Sequence, residues 1–169
     1  DPSFTARTIT TSADGAQSVY ATDIDSDGDM DVLSASYSDD KIAWYENDGA
    51  ADPSFTARTI STSADGASSV YAADIDNDGD MDVLSAAFLG RKIAWYENDG
   101  AADPSFTANT IATSSSIGNT PSVYAADIDN DGDMDVLSAS TSDDKIAWYE
   151  NDGAADPSFT ARTITTSAD

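Results

Sequence analysis

Apolar and polar residues alternate over short runs along this chain, and no window sustains a helical period. Runs rich in Val, Ile, Thr, Tyr and Trp are punctuated by Gly, Asp, Asn, Pro and Ser at short intervals. Four kinds of run form a set: SVYATDI at Ser18–Ile24, DVLSAS at Asp31–Ser36, KIAWYEN at Lys41–Asn47, and FTARTIT, first met at Phe4–Thr10. Each reads as a strand. Alternation places Ile42 and Trp44 on one face of the KIAWYEN strand and Ala43 and Tyr45 on the other. Both faces are apolar, as in a strand covered on both sides. Tyr20, Tyr71 and Tyr124 sit beside small alanines, which suits an inner strand crowded near an axis.

The set repeats. DPSFTA begins at Asp1, Asp52, Asp103 and Asp156, with spacings of 51, 51 and 53 residues. KIAWYENDGA begins at Lys41, Lys92 and Lys145. The two extra residues fall in Ser114 to Pro121, where TSSSIGNTP replaces TSADGAS, and mark a surface loop. A period of about 50 residues with four strands is the signature of a β-propeller blade. The expected fold is therefore all-β: three four-stranded blades plus an extra outer strand.

Residues 1–17 are expected to form an outer strand completing a neighbouring or preceding blade. Residues 18–68 form repeat 1, residues 69–121 repeat 2 with its following loop, and residues 122–169 repeat 3. Propellers close with about four to eight blades, so three imply part of a larger ring or array. Repeat arrays normally place polar caps at their ends. Here the terminal repeats look like the middle one. Asp156 to Asp169 also repeats Asp1 to Asp14 exactly in sequence, as in a window from a longer array or a unit made to join copies of itself. With no initial Met or signal peptide, the chain reads as a mature product or a fragment.

Between the first two strands of each set lies an acidic loop: DIDSDGDMD at Asp23 to Asp31, then DIDNDGDMD at Asp74 to Asp82 and at Asp127 to Asp135. Five carboxylates in nine residues repel one another, and a hard divalent cation relieves that cost. Ca²⁺ accepts six to eight oxygen ligands in flexible geometry, whereas Mg²⁺ demands a near-ideal octahedron and keeps its waters. The candidate ligands are Asp23, Asp25, Asp27, Asp29 and Asp31 in the first loop. They are Asp74, Asp76, Asp78, Asp80 and Asp82 in the second, and Asp127, Asp129, Asp131, Asp133 and Asp135 in the third. Gly28, at position 6, permits the reversal that wraps the loop round an ion. About one Ca²⁺ per repeat, three in all, is the expectation. An EF-hand starts alike but needs a bidentate Glu at position 12 and flanking helices. Position 12 is Ser34, Ser85 or Ser138 here, and the flanks are strands.

This D-x-D-x-D-G-x-x-D pattern between strands resembles the FG-GAP/VCBS repeat family, known from integrin α-subunit propellers and secreted microbial proteins. The resemblance covers essentially the whole chain. It implies that the loop joins a blade's first two strands and binds Ca²⁺. By resemblance, Asp23, Asp25, Asp27 and Asp31 supply side chains and Asp29 its carbonyl, and likewise in the other two loops. The chain departs from the integrin form, with SVYA and LSAS or LSAA in place of the FG and GAP dipeptides. KIAWYENDG looks closer to VCBS-type repeats.

Composition narrows the function. The formal net charge is −25, and 15 of the 32 acidic residues lie in the three loops. With seven Lys and Arg, no basic patch can form, which argues against nucleic acid or an anionic membrane surface. No stretch approaches the apolar length of a membrane helix. Without His or Cys, the commonest general base, a thiolate nucleophile and a disulfide framework are all missing. No catalytic constellation is visible, and the expectation is a protein that is not an enzyme. Loops needing this much calcium suit an extracellular setting, secreted or on a cell surface.

Trp44, Trp95 and Trp148 invite two readings: packing between blades, or stacking against carbohydrate in a lectin-like module. Arg7, Arg58 and Arg162 recur on the outer strand, with Asn109 at the matching third position, and suit exposed salt bridges. AAFLGRK at Ala86 to Lys92 replaces ASYSDDK and ASTSDDK, so Phe88, Leu89 and Arg91 mark either a partner contact or neutral drift. The expected role is a calcium-stabilised structural or adhesion repeat protein. It would associate with further copies as a closed ring or a fibre; the alternative is a carbohydrate-binding, lectin-like propeller module with a glycan or cell-surface ligand.

Overall fold

The computed structural model describes residues 1–166. Residues 167–169, which end the expected third repeat, lie outside the described residues. Twelve strands and no helix are present among the described residues. The first four are β1 (Ala16–Thr22), β2 (Asp31–Ser36), β3 (Lys41–Asn47) and β4 (Phe55–Ser61). The next four are β5 (Ala67–Ala73), β6 (Asp82–Ala87), β7 (Lys92–Asn98) and β8 (Phe106–Ala112). The last four are β9 (Ser122–Ala126), β10 (Asp135–Ser140), β11 (Lys145–Asn151) and β12 (Phe159–Thr165). They form three four-stranded antiparallel meanders, β1-β2-β3-β4, β5-β6-β7-β8 and β9-β10-β11-β12. These are propeller-type blades, and they do not close into a ring.

Two of the strand types fall where the alternation puts them, at Asp31–Ser36 and Lys41–Asn47. The first strand runs earlier than SVYATDI implies: it ends at Thr22, and Asp23 and Ile24 enter the loop. The backbone N–H of Ile24 donates to the Asp31 carboxylate (3.1 Å), so it serves the loop and not the ladder. Phe4–Thr10 is not a strand, in contrast to the expectation. Its twin Phe159–Thr165 is one, because β11 supplies ladder hydrogen bonds along its edge. The inserted loop between β8 and β9 is not purely superficial: Ile117 (3% exposed) packs into the core and Thr120 is buried.

The core lies between blades, where each sheet presents a different apolar set on its two faces. Ile24, Leu33, Ile42 and Trp44 of the first blade meet Val70, Val83, Ala94 and Tyr96 of the second. Ile75, Leu84, Ile93 and Trp95 of the second meet Val123, Val136, Ala147 and Tyr149 of the third. The interface is therefore the same one made twice, a Leu-Ile-Trp face on a Val-Ala-Tyr face. Arg58 sits over the Trp44 ring, 5.6 Å from its centroid, and pairs with Glu46 at 2.7 Å and with Asp103 of the next blade at 2.6 Å. The inner strands β1, β5 and β9 pack side by side. They carry a tyrosine ladder, Tyr20 to Tyr71 at 4.6 Å and Tyr71 to Tyr124 at 4.5 Å between ring centroids.

Burial separates the tryptophans. Trp44 and Trp95 are each 2% exposed, whereas Trp148, on the face of the third blade that no blade covers, is only partly buried. Trp95→Ala should therefore cost about 3–5 kcal/mol of unfolding free energy, as for a large core ring. Trp148→Ala should cost less than half as much in the same urea titration.

Candidate metal centres

Each acidic loop closes on itself through its own carboxylates. In the first, Asp23 accepts hydrogen bonds from the backbone N–H of Asp27 (3.1 Å) and of Gly28 (2.9 Å). Asp27 in turn accepts from Asp29 N–H (2.9 Å). The second loop repeats these bonds with Asp74, Asp78, Gly79 and Asp80. The reversal needs a left-handed backbone. Ser26, Asn77 and Asn130 have φ near +60°, and Gly28, Gly79 and Gly132 have φ of +96°, +100° and +102°. A Cβ at these glycines would meet nothing within 4 Å, so it is the dihedral angle and not the space that selects glycine.

The result is a compact carboxylate cluster in every loop. Asp23, Asp25 and Asp27 each aim an oxygen into a common region, all within 4.8 Å of one another, and Asp74, Asp76 and Asp78 do the same. In the third loop the cluster is Asp127, Asp129 and Asp135. Asp29, Asp80 and Asp133 turn their side chains away from the cluster, against Gly49, Gly100 and Gly153. A Cβ at Gly49 would meet only the end of the Asp29 side chain, which can swing aside, so it is the φ of +65° that selects glycine in that turn. Asp131 accepts from Asp133 N–H (3.0 Å) beside this third cluster.

The carboxylate at position 9 has a second task. Asp31, Asp82 and Asp135 are buried at 1%, 0% and 0% exposure. Asp82 accepts the backbone N–H of Ile75 (3.0 Å) with one oxygen and that of Asn98 (2.8 Å) with the other. Asp31 and Asp135 make the same pair of bonds. One carboxylate thus ties the start of the loop to the end of the third strand.

Asn47, Asn98 and Asn151 are functional residues that sequence reasoning missed. Asn98 Nδ2 donates to Met81 O of its own loop (3.0 Å) and to Ile24 O of the preceding blade's loop (2.9 Å). Asn151 joins Met134 O and Ile75 O in the same way. Asn47 Nδ2 donates to Met30 O, with no preceding blade's carbonyl beside it among the described residues. Their recurrence in every KIAWYEN was the available signal, but it looked like turn chemistry.

The electrostatics match a cation-binding group. Burial pushes the Asp25, Asp76 and Asp129 carboxyls up, and the neighbouring charges of Asp27, Asp78 and Asp131 push them further. Burial raises Asp31 as well, against the pull of its two backbone donors. It raises Asp82 to about 7. Asp127 Oδ1 is hidden from solvent without a hydrogen-bond donor. A hydrogen-bond donor normally satisfies such an atom, and a cation does so equally. An all-oxygen set of crowded carboxylates on a flexible, glycine-turned loop fits Ca²⁺.

The other residues marked in the sequence have structural surroundings. Phe88 lies near Tyr37 (6.3 Å between centroids), Arg91 donates to Ile117 O (3.1 Å), and Leu89 is 51% exposed. Arg162 pairs with Glu150 at 2.5 Å and Arg7 with Asp52 at 2.9 Å.

Two outcomes follow. Asn98→Ala removes the donor to two carbonyls and should cost about 1–3 kcal/mol in urea unfolding. Asn47→Ala, which removes a donor to a single carbonyl, should cost less. The second outcome concerns pH. A carboxyl whose folded pKa (about 7) exceeds its ordinary value of 3.8 binds more protons folded than unfolded between the two. Stability then falls as pH rises through that interval. In chelator the melting temperature should drop from about pH 4 to about pH 7, and Asp82→Asn should flatten the slope.

The FG-GAP-like repeat family model matches residues 23–85 and 86–138. No curated protein matches the chain. Among solved structures, it is similar to a lectin from Agrocybe aegerita whose structure was described as the basis of specific recognition of non-reducing terminal N-acetylglucosamine. The likeness has a TM-score of 0.57 at 16% identity, covers 88% of this chain and 38% of the lectin, and concerns the fold. With the repeat model matched over most of its length, the chain belongs to the FG-GAP-like repeat family.

Proposed function

We propose that this protein is a non-enzymatic, calcium-stabilised extracellular scaffold, in which each blade holds one Ca²⁺ and the blades join with further copies in a structural or adhesive assembly. The observation that carries the reading is the carboxylate cluster repeated in all three loops. In each loop a cluster oxygen can bind the ion while the position-9 aspartate anchors the loop to the third strand. Calcium would neutralise charge where the chain concentrates it, and so hold the inner half of every blade in place. The net charge of −25 and the calcium demand support a calcium-rich, extracellular setting.

A carbohydrate-binding role is the alternative left by the sequence, and the lectin neighbour shares the fold. Two of the three tryptophans it would use, Trp44 and Trp95, are sealed between blades and cannot stack on a sugar. The scaffold reading is therefore preferred.

The test is thermal unfolding in millimolar Ca²⁺ and in EDTA. A site held at one hundred times its Kd contributes about 2.7 kcal/mol. Each kcal/mol moves the melting temperature of a domain of this size by about 2–4 °C. Three filled sites should raise it by more than about 10 °C, and Asp76→Asn should remove part of the rise. Identical melting in Ca²⁺ and EDTA rejects the proposal.

A further inference from the structure

The inter-blade interface is made twice inside the molecule, and its two halves remain open at opposite ends. On the first blade the Val-Ala-Tyr face is uncovered near the inner strand. Val19 is 71% exposed, whereas its counterpart Val70 is 4% exposed in the joint between blades. On the third blade the Leu-Ile-Trp face is open. Ile128 is 39% exposed and Leu137, Ile146 and Trp148 are partly buried, whereas Ile24, Leu33, Ile42 and Trp44 are 2% exposed or less. The tyrosine ladder stops with Tyr124 51% exposed, and Tyr20 stands at its other end.

Residues 4–10 add a second observation. They do not form a strand, yet they are placed as the outer strand of a blade preceding the first. Arg7 pairs with Asp52 across the gap (2.9 Å), as Arg58 of β4 pairs with Asp103 of the next blade (2.6 Å). Lys41 Nζ donates to Ser12 O, as Lys145 Nζ donates to Ser116 O. Between this segment and the sheet lies an open cavity of about 440 Å³, lined by Ile9, Val19, Val32 and Tyr45 among others. Phe4 is 94% exposed, although its twin Phe159 packs against the core.

We infer that this cavity is the docking site for the third blade of a second copy of the chain, and that Phe4–Thr10 of the first copy takes the place of β12 beside the second copy's β11. This rests on the scaffold reading and names its interface. Leu137, Ile146 and Trp148 of the second copy cover Val19 and Val32, repeating a contact made twice within each chain. Tyr124 of the second copy extends the ladder onto Tyr20. Phe4–Thr10 and Phe159–Thr165 have the same sequence, so the register seen for β12 carries over. Thr160 faces Glu150, and Thr5 then faces Glu150 of the other copy. The unlike halves make a head-to-tail contact, which closes as a ring of copies or propagates as a filament.

Light scattering behind size exclusion in Ca²⁺ should give the full chain a mass of at least two copies. Val19→Glu charges the receiving face and Leu137→Glu the inserting face. Each variant alone should run as one chain, and an equimolar mixture should form a pair, because each retains one sound half. With no native cysteine in the chain, Thr5→Cys combined with Glu150→Cys should give chain-to-chain disulfides on non-reducing gels. A wild-type chain that stays single, or single variants that assemble as wild type does, overturns the docking and leaves these faces to a different occupant. Assembly without the disulfide overturns the strand exchange. The Ca²⁺-against-EDTA melting difference, measured on the same samples, separates failure of this inference from failure of the calcium reading: a single chain that still gains stability from Ca²⁺ sinks only the docking.

Discussion

The buried carboxylate at the ninth position of each loop is the interaction on which the blade depends. Asp82 has no exposed surface, and its two oxygens hold two backbone segments, the loop entrance at Ile75, 7 residues before it, and the strand end at Asn98, 16 residues after it. Burying a charge is costly unless it is paired or hydrogen-bonded. The two backbone donors meet only part of that cost, since the Asp82 carboxyl is still pushed up to about 7. The remaining cost lies beside a cluster of further carboxylates, which is where a divalent cation has most effect.

From that staple the rest of the architecture follows outward. The loop fixes Ile24 and Ile75, whose carbonyls receive Asn98 and Asn151 from the following blades. The same loops thus organise the inside of a blade and register one blade on the next. The Leu-Ile-Trp and Val-Ala-Tyr faces then pack in a single order. Because the two faces differ, the stack has a direction and two unlike open ends, so stacking alone supplies no reason for it to stop at three.

Much of this was legible in the residues. Alternation marked β2 and β3 to the residue, because their faces are apolar and their ends are punctuated by Asp, Ser and Asn. The acidic loops declared their chemistry through spacing, since aspartates at every second position converge once a glycine turns the chain. The double role of Asp31, Asp82 and Asp135 was not legible, because their partner Asn residues lie a whole hairpin away. Nor was the joint made by Asn98, whose second acceptor is 74 residues distant.

The sequence by itself determined the strand set, its period and the ligand-rich loops, because these depend on neighbours within a few residues. Tertiary structure alone decided which copies of a repeated element are satisfied. Trp95 is sealed and Trp148 is not, although both sit in the same KIAWYEN. Phe159–Thr165 is a strand and Phe4–Thr10 is not, although the two are identical. A β-strand is completed by the hydrogen-bonding edge beside it, and a hydrophobic face by the face that covers it. Neither partner is a property of the segment itself.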